Sequence, residues 1–182
     1  MKNITKNLFL LLLVVFATNS NIFAQTGAAK ELTVASSKIT FKIKNAGIYV
    51  NGSFGGLVAA IKFDEKDLKK SSISAVVDAN SVNTENKSRD NHLRKDDYFD
   101  VAKYPTIKME TTEIVRSQSG NFIGYFNITM KDKTKKRVVV PFTFKKNVFT
   151  GKLTLDRRDY GLGENSLIMG DEVVLTLEVT VK

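Results

Sequence analysis

From Lys38 onward, apolar and polar residues alternate: Ile39, Phe41 and Ile43 fall between Lys38, Thr40, Lys42 and Lys44, the period of a strand with one buried face. The same period returns in Leu57, Ala59, Ile61 and Phe63, and in Ile73, Ala75 and Val77. It resumes in Ile107 and Met109, then in Phe122, Gly124, Phe126, Ile128 and Met130. Val138 to Phe144, Phe149 to Leu155 and Val173 to Val181 complete eight segments. Between them Asn51-Gly52, Gly55-Gly56, Ser119-Gly120-Asn121 and Lys146-Asn147 carry turn chemistry, and connections this short make neighbours antiparallel. Eight strands with one apolar face each bury it by stacking as two sheets or by closing, and closure also removes exposed edges. The pattern therefore predicts an all-β, antiparallel eight-stranded barrel, whose interior is either filled by side chains or just wide enough for one slender ligand.

The period fails from Asn83 to Asp100, where polar and charged residues dominate. The stretch predicts one short helix from about Glu85 to Lys95, started by Asn83 or Thr84, with Glu85 suited to its positive end and Arg94 and Lys95 to its negative end. Leu93 is its one large aliphatic residue before Tyr98 and Phe99, too little to make it a core element. Its place is a cover over one barrel end, with Arg89 anchored there by a carboxylate.

The residues ahead of the strands change where the barrel works. Lys2 and Lys6, the apolar run Leu8 to Ala17, and Ala24 at the end of a short polar stretch make a signal peptide over 1–24, cut before Gln25. The run is too short for a hydrocarbon core of roughly 30 Å. The expected product is one domain, residues 25–182, periplasmic or secreted. With no cysteine, it owes its stability to burial of apolar area, not to disulfides. Two of the 28 basic residues and none of the 19 acidic ones precede Gln25, so the net charge falls only from +9 to +7. That balance favours an anionic membrane surface as partner, with the basic run Lys131 to Arg137 as its candidate contact and a solvated hairpin tip as the plainer reading. Export, and the lack of a basic stripe interleaved with exposed aromatics, argue against nucleic acid.

Candidate catalytic chemistry is thin. His92 is the single histidine, so with no cysteine a zinc site would need three carboxylate or water ligands beside it, an unusual set, and neither metal nor cofactor is expected. Ser88, His92 and Asp96 share helical spacing, but side chains on one exposed face do not converge as a triad requires. Asp96, Asp97 and Asp100 lack the glycine and ligand spacing of a calcium loop. No enzyme activity is expected.

The run Asn86-x-x-Arg89-Asp90-x-His92-Leu93-Arg94-x-x-Asp97-Tyr98-Phe99-Asp100-Val101-x-x-Tyr104-Pro105 resembles the signature of the YceI-like family of polyisoprenoid-binding proteins. Gly47-Ile48 with Gly52-x-Phe54, Asp159-Tyr160-Gly161 and Gly170-Asp171-Glu172-Val173 agree with it, so the resemblance spans about Leu32 to Val181. It implies a lipocalin-like barrel with an apolar tunnel for an isoprenoid tail, of polyprenyl phosphate or quinone type, and no catalysis. The expected apolar lining is Phe41, Ile43, Phe63, Ile73, Val77, Met109, Phe122, Phe126, Phe142, Phe144, Leu155 and Leu177. Where typical members place a histidine and a basic residue near the helix, this chain has the neutral Asn45 and the neutral Asn51 or Ser53, and Ser36 and Leu32 stand near a missing strand-one histidine and tryptophan. Asn45, Asn51, Arg89, His92 and Arg94 are the head-group candidates. The competing reading is a secreted stress-response or interaction module with a fully packed barrel, and cavity volume separates the two. Either reading allows pairing with a second copy.

Overall fold

The computed structural model describes residues 29–182; the expected signal peptide and its cleavage before Gln25 lie outside the described residues. The chain forms β1 (Lys30–Leu32), β2 (Val34–Asn45), β3 (Ile48–Phe54), β4 (Val58–Phe63) and β5 (Ser72–Asp78). Then come α1 (Lys87–Leu93), β6 (Thr106–Arg116), β7 (Phe122–Met130), β8 (Lys133–Lys145), β9 (Val148–Asp156) and β10 (Met169–Val181), with single 3-10 turns at Leu68–Lys70, Ala79–Ser81 and Arg157–Tyr160. All ten strands belong to one antiparallel sheet in the order β1-β4-β5-β6-β7-β8-β9-β10-β2-β3. The edge strand β1 runs on directly into β2, the last strand but one at the opposite edge. β1 pairs with β4 while β2, one residue later, pairs with β10 and β3. Thr33 at the bend exchanges backbone hydrogen bonds of 3.0 and 2.9 Å with Lys182. The sheet curls into a barrel through this bent strand, and all eight expected strands are present within it.

Ten strands replace the expected eight for two reasons. Three residues at the start form β1, too short for an alternation to show in sequence. The other, β3, runs through Asn51-Gly52, which the sequence suggests as a turn. The reversal falls instead at Ala46-Gly47, where φ of 50° and 82° fits a tight hairpin between right-twisted strands. Gly52 faces Phe41 across the β2–β3 pair, and a Cβ there would stand 2.3 Å from the Phe41 ring. The glycine admits the ring and does not turn the chain. At Lys146-Asn147, with φ of 50° and 63°, the expected hairpin is present.

Inward residues separate into two layers. At the end where the chain bends, Phe63, Phe122, Phe142, Phe144 and Phe149 pack with Leu32, Ile61, Ile114 and Val181. Ring centroids of 5.1 Å from Phe63 to both Phe122 and Phe149, and 4.3 Å between Phe144 and Phe149, make this end a solid aromatic plug. Toward the other end, Phe126, Ile128, Met130, Val140, Leu153 and Leu155 from the sheet meet Val82, Phe99, Tyr160 and Leu162 from the connecting segments. Here the core is a lining around open space.

α1 is shorter than the sequence suggests. Glu85 takes φ of 62°, outside the helix, and the cap is Asn86, whose side chain accepts from the Arg89 N–H at 3.0 Å. Thr84 is used differently. Buried with Asp90, it donates both its backbone N–H and its hydroxyl to that carboxylate, at 2.8 and 2.5 Å. Arg89 in turn donates to the Thr84 hydroxyl at 2.8 Å and to the Thr84 carbonyl at 2.9 Å. The expected carboxylate anchor of Arg89 is thus replaced by Thr84, with Asp90 one bond further on. Arg94 spans back to the carbonyls of Asn80 and Val82, both at 2.9 Å. Asn83 pairs with Ser53 on β3 through bonds of 2.8 and 3.0 Å. A segment poor in apolar side chains is held by polar bonds to itself and to the rim.

A candidate lipid cavity under the helix

A cavity of about 370 Å³ lies between the plug and α1. Its walls come from strand faces whose inward positions alternate with lysine, threonine and serine outside. Phe41 and Ile43 on β2, Ile73 and Val77 on β5, Met109 on β6, Phe126 on β7, Phe142 on β8, Leu155 on β9 and Leu177 on β10 all line it, as the alternation suggests. Phe63, Phe122 and Phe144 do not. They lie on the same inward faces nearer the bend, where their rings fill the section of the barrel with one another. The period of two reports a face and is blind to depth along the barrel. Ala59 and Ala75, side by side on β4 and β5, also line the cavity and keep its wall thin.

Gly124, which shares the inward face of β7, opens no space. The Phe126 ring lies across it, and a Cβ at 124 would be 2.3 Å from that ring. Gly151 is enclosed more loosely, with Pro141, Phe142 and Val140 at 3.5 to 3.6 Å from its Cβ position.

The roof comes from residues that no strand period could assign to the site. Leu93, Tyr98 and Phe99 reach the cavity from α1 and the turn after it, and Tyr160 and Leu162 from the segment after β9. Phe99 meets Phe54 edge-on at 5.4 Å, and Phe54 meets Phe41 at 5.4 Å, so roof and wall share an aromatic seam. The motif Asp159-Tyr160-Gly161, a family mark in the sequence, is what carries Tyr160 inward. Gly161 has φ of 65° and ends the 3-10 turn. Arg157, 3% exposed, donates to the carbonyls of Leu162 at 2.7 Å and Gly170 at 3.1 Å and to Asp171 at 2.8 Å. Its guanidinium fastens this roof segment to β10.

Of the head-group candidates, Asn45, Arg89 and His92 line the cavity at the helix end. Asn51 and Arg94 do not. Asn51 stands on the outer face of β3 opposite Lys42, because Gly52 occupies the inward position. Arg94 is committed to the carbonyls below α1. His92 Nε2 lies 2.7 Å from Asp97 Oδ2, and its ring meets Tyr98 edge-on at 5.0 Å. Ser88 and Asp96 take no part in that contact. Among the described residues, no group of three His, Asp or Glu side chains is placed to hold a metal ion. The basic run Lys131 to Arg137 forms the β7–β8 hairpin at the helix end, and much of it is engaged internally. Lys131 donates to the Asp96 carbonyl at 2.7 Å, Lys135 pairs with Asp159 at 2.7 Å and Arg137 with Glu113 at 3.4 Å.

A model of the YceI-like domain matches residues 31–181. A UPF0312 protein of Pseudomonas aeruginosa is 31% identical over 157 residues, covering 78% of both chains. Among solved structures, Burkholderia cenocepacia BcnA superposes with a TM-score of 0.76 at 24% identity, over 83% of this chain and 99% of its own. A polyisoprenoid-binding domain from Saccharophagus degradans, implicated in plant cell wall breakdown, superposes with a TM-score of 0.62 at 15% identity, over 86% of this chain and 99% of its own.

Proposed function

This chain belongs to the YceI-like family, and from that premise we propose that it is an exported carrier that holds one isoprenoid lipid, of polyprenyl phosphate or quinone type, without transforming it. The observation that carries the reading is the cavity: about 370 Å³, walled by aliphatic and aromatic side chains, closed by a plug at one end and by a polar-stapled helix at the other. That volume falls within the roughly 300–1,000 Å³ of small-molecule sites, where a barrel serving only as an interaction module would be packed solid. Transfer from water is worth about 0.8 kcal/mol per CH₂, so three five-carbon units contribute on the order of 10 kcal/mol before ordering costs. The tail supplies affinity. Asn45, Arg89 and His92 stand where a head group would emerge, and Arg89, already bonded to Thr84, offers a positive field more than a free clamp. The polyisoprenoid-binding domain of Saccharophagus degradans supports this choice of ligand class.

Mass spectrometry of an organic extract of the purified protein tests the reading. An isoprenoid is expected from the parent and none from Ala75→Phe, which places a ring in the cavity from a thin part of its wall. An extract free of lipid, with a parent that also fails to take up farnesol from solution, would overturn it. Export rests on the Lys2, Lys6, Leu8 to Ala17 and Ala24 pattern. Amino-terminal sequencing of protein recovered from the periplasm or medium should begin at Gln25, and a retained Met1 on that protein would refute export by this signal.

A further inference from the structure

Six large apolar side chains are exposed among the described residues; Val58 and Val139 are two of them, and the other four gather at the rim of the cavity. Leu167 is 107% exposed, Ile168 67%, Ile48 69% and Tyr49 62%. They come from two separate segments, the β2–β3 hairpin tip and the loop before β10. Backbone contacts bring these together: the Ala46 N–H donates to the Ile168 carbonyl at 2.7 Å, and Asn45 pairs with Met169 at the head of the β10–β2 ladder. The loop is shaped to present its apolar pair. Ser166 Oγ accepts from the N–H groups of Ile168 and Met169, at 3.3 and 3.0 Å, which turns the chain beneath Leu167. Just inside this rim, Asn45, Val50 and Met169 line the cavity, and Tyr98, on the roof, donates to the Met169 sulfur at 3.8 Å.

We propose that this rim docks on an anionic lipid bilayer, with Leu167, Ile168 and Ile48 entering the headgroup boundary, so that a lipid passes between membrane and cavity without crossing water. The proposal rests on the lipid-carrier reading and adds the surface through which the carrier loads. Charge points to the same occupant. The hairpin from 42 to 51 carries Lys42 and Lys44 and no acid, and the Lys42 ammonium lies 4.9 Å over the Tyr49 ring. Tyrosine with a lysine beside it suits the headgroup level, where the ring meets hydrocarbon and the ammonium meets phosphate. Glu164 is the single acid of the loop from 162 to 168. Asp171 and Glu172 follow the apolar pair, but Asp171 is paired with both Arg157 and Arg158, so Lys42 and Lys44 leave the rim with a positive balance that fits an anionic bilayer better than a neutral one. Three aliphatic residues and two lysines give weak, reversible attachment, which is what a carrier that must leave again requires.

The test uses the full mature chain, co-sedimented with vesicles of phosphatidylglycerol and phosphatidylcholine and with vesicles of phosphatidylcholine alone. Binding is expected to the anionic vesicles, to weaken with added salt, and to fall at least tenfold in the double variant Leu167→Asp, Ile168→Asp. Both residues are exposed and neither lines the cavity, so uptake of farnesol from solution and the melting temperature are expected to stay at parental values. Equal sedimentation of parent and variant, or none by the parent, overturns the docking surface. So does a parent that is dimeric in solution and becomes monomeric in the variant, since the patch would then belong to a second copy. Farnesol uptake without vesicle binding overturns the rim alone, while a parent that takes up no farnesol defeats the carrier reading itself.

Discussion

Tyr160 is 1% exposed, and its hydroxyl has no hydrogen-bond partner among the described residues. Burial, with the Asp159 carboxylate as the lesser cause, pushes its phenol up from 10.0 to about 12. Because burial penalises only the anion, the group leaves the fold unaffected below its unfolded value and costs stability as pH climbs from about 10 to about 12, where the unfolded chain ionises more easily. Tyr160→Phe removes an unsatisfied buried group and leaves the ring in place, so its stability at neutral pH should equal the parent's or exceed it by up to about 1 kcal/mol. The melting temperature of the variant should also fall less steeply than the parent's over that alkaline interval. A variant melting well below the parent at pH 7 would mean that the hydroxyl does bond in solution. Gly52 and Gly124 owe their size to packing within the wall. Both stand on the inward face of a strand, and both are small because a phenylalanine ring of the same sheet lies over them. The space they leave belongs to the wall, not to a ligand.

At the scale of elements, α1 and its flanks are the part of the site that burial does least to hold. The seven residues of α1 make too short a helix to persist alone. What fixes it is the chain of bonds from Asp90 to Thr84 to Arg89, with Arg94 reaching the carbonyls of Asn80 and Val82. Asp90→Ala would leave the Thr84 N–H and hydroxyl without their buried acceptor, at a cost of about 2–3 kcal/mol. Because this segment roofs the cavity, the loss should appear first as faster amide exchange over 84–99 and only then as a lower global melting temperature. Exchange confined to parental rates would show that the roof is held by Phe99 and Leu93 instead. The strands behave otherwise: β7 alternates buried and half-buried residues from Phe122 to Met130 without a break, so its place follows from its own pattern.

For the whole molecule, the barrel separates stability from capacity along its axis. The plug around Phe63 is packed ring against ring, and the cavity begins above it. Phe63→Ala should therefore cost about 3–5 kcal/mol in denaturant unfolding, the range for emptying a large aromatic from a core. Its extract should still contain the lipid, because Phe63 is not part of the lining. Loss of lipid from a stably folded Phe63→Ala would place the tail deeper than the plug. Filling the cavity at Ala75 has the opposite signature, with ligand lost and the fold kept.

Local chemistry determined much of this in advance. Alternation along each of eight segments settled which residues face inward, since a strand turns its side chains to opposite faces at every step. The run from Asn86 to Pro105 identified the family, and the polar stretch within it identified the cover. What required the folded chain is of another kind. Whether Phe63 and Phe142 fill the barrel or line its cavity depends on their height along the axis, and residues far apart in sequence set that height through register. Asn51-Gly52 reads as a turn by its residue types, yet the ring of Phe41 from the neighbouring strand claims Gly52 for the sheet. Arg89 was legible as a residue needing an anchor, but not which one, because Thr84 and Asp90 become its neighbours only when α1 folds back on the rim. Periodicity is a property of one strand, and a cavity is a property of what the other strands leave empty.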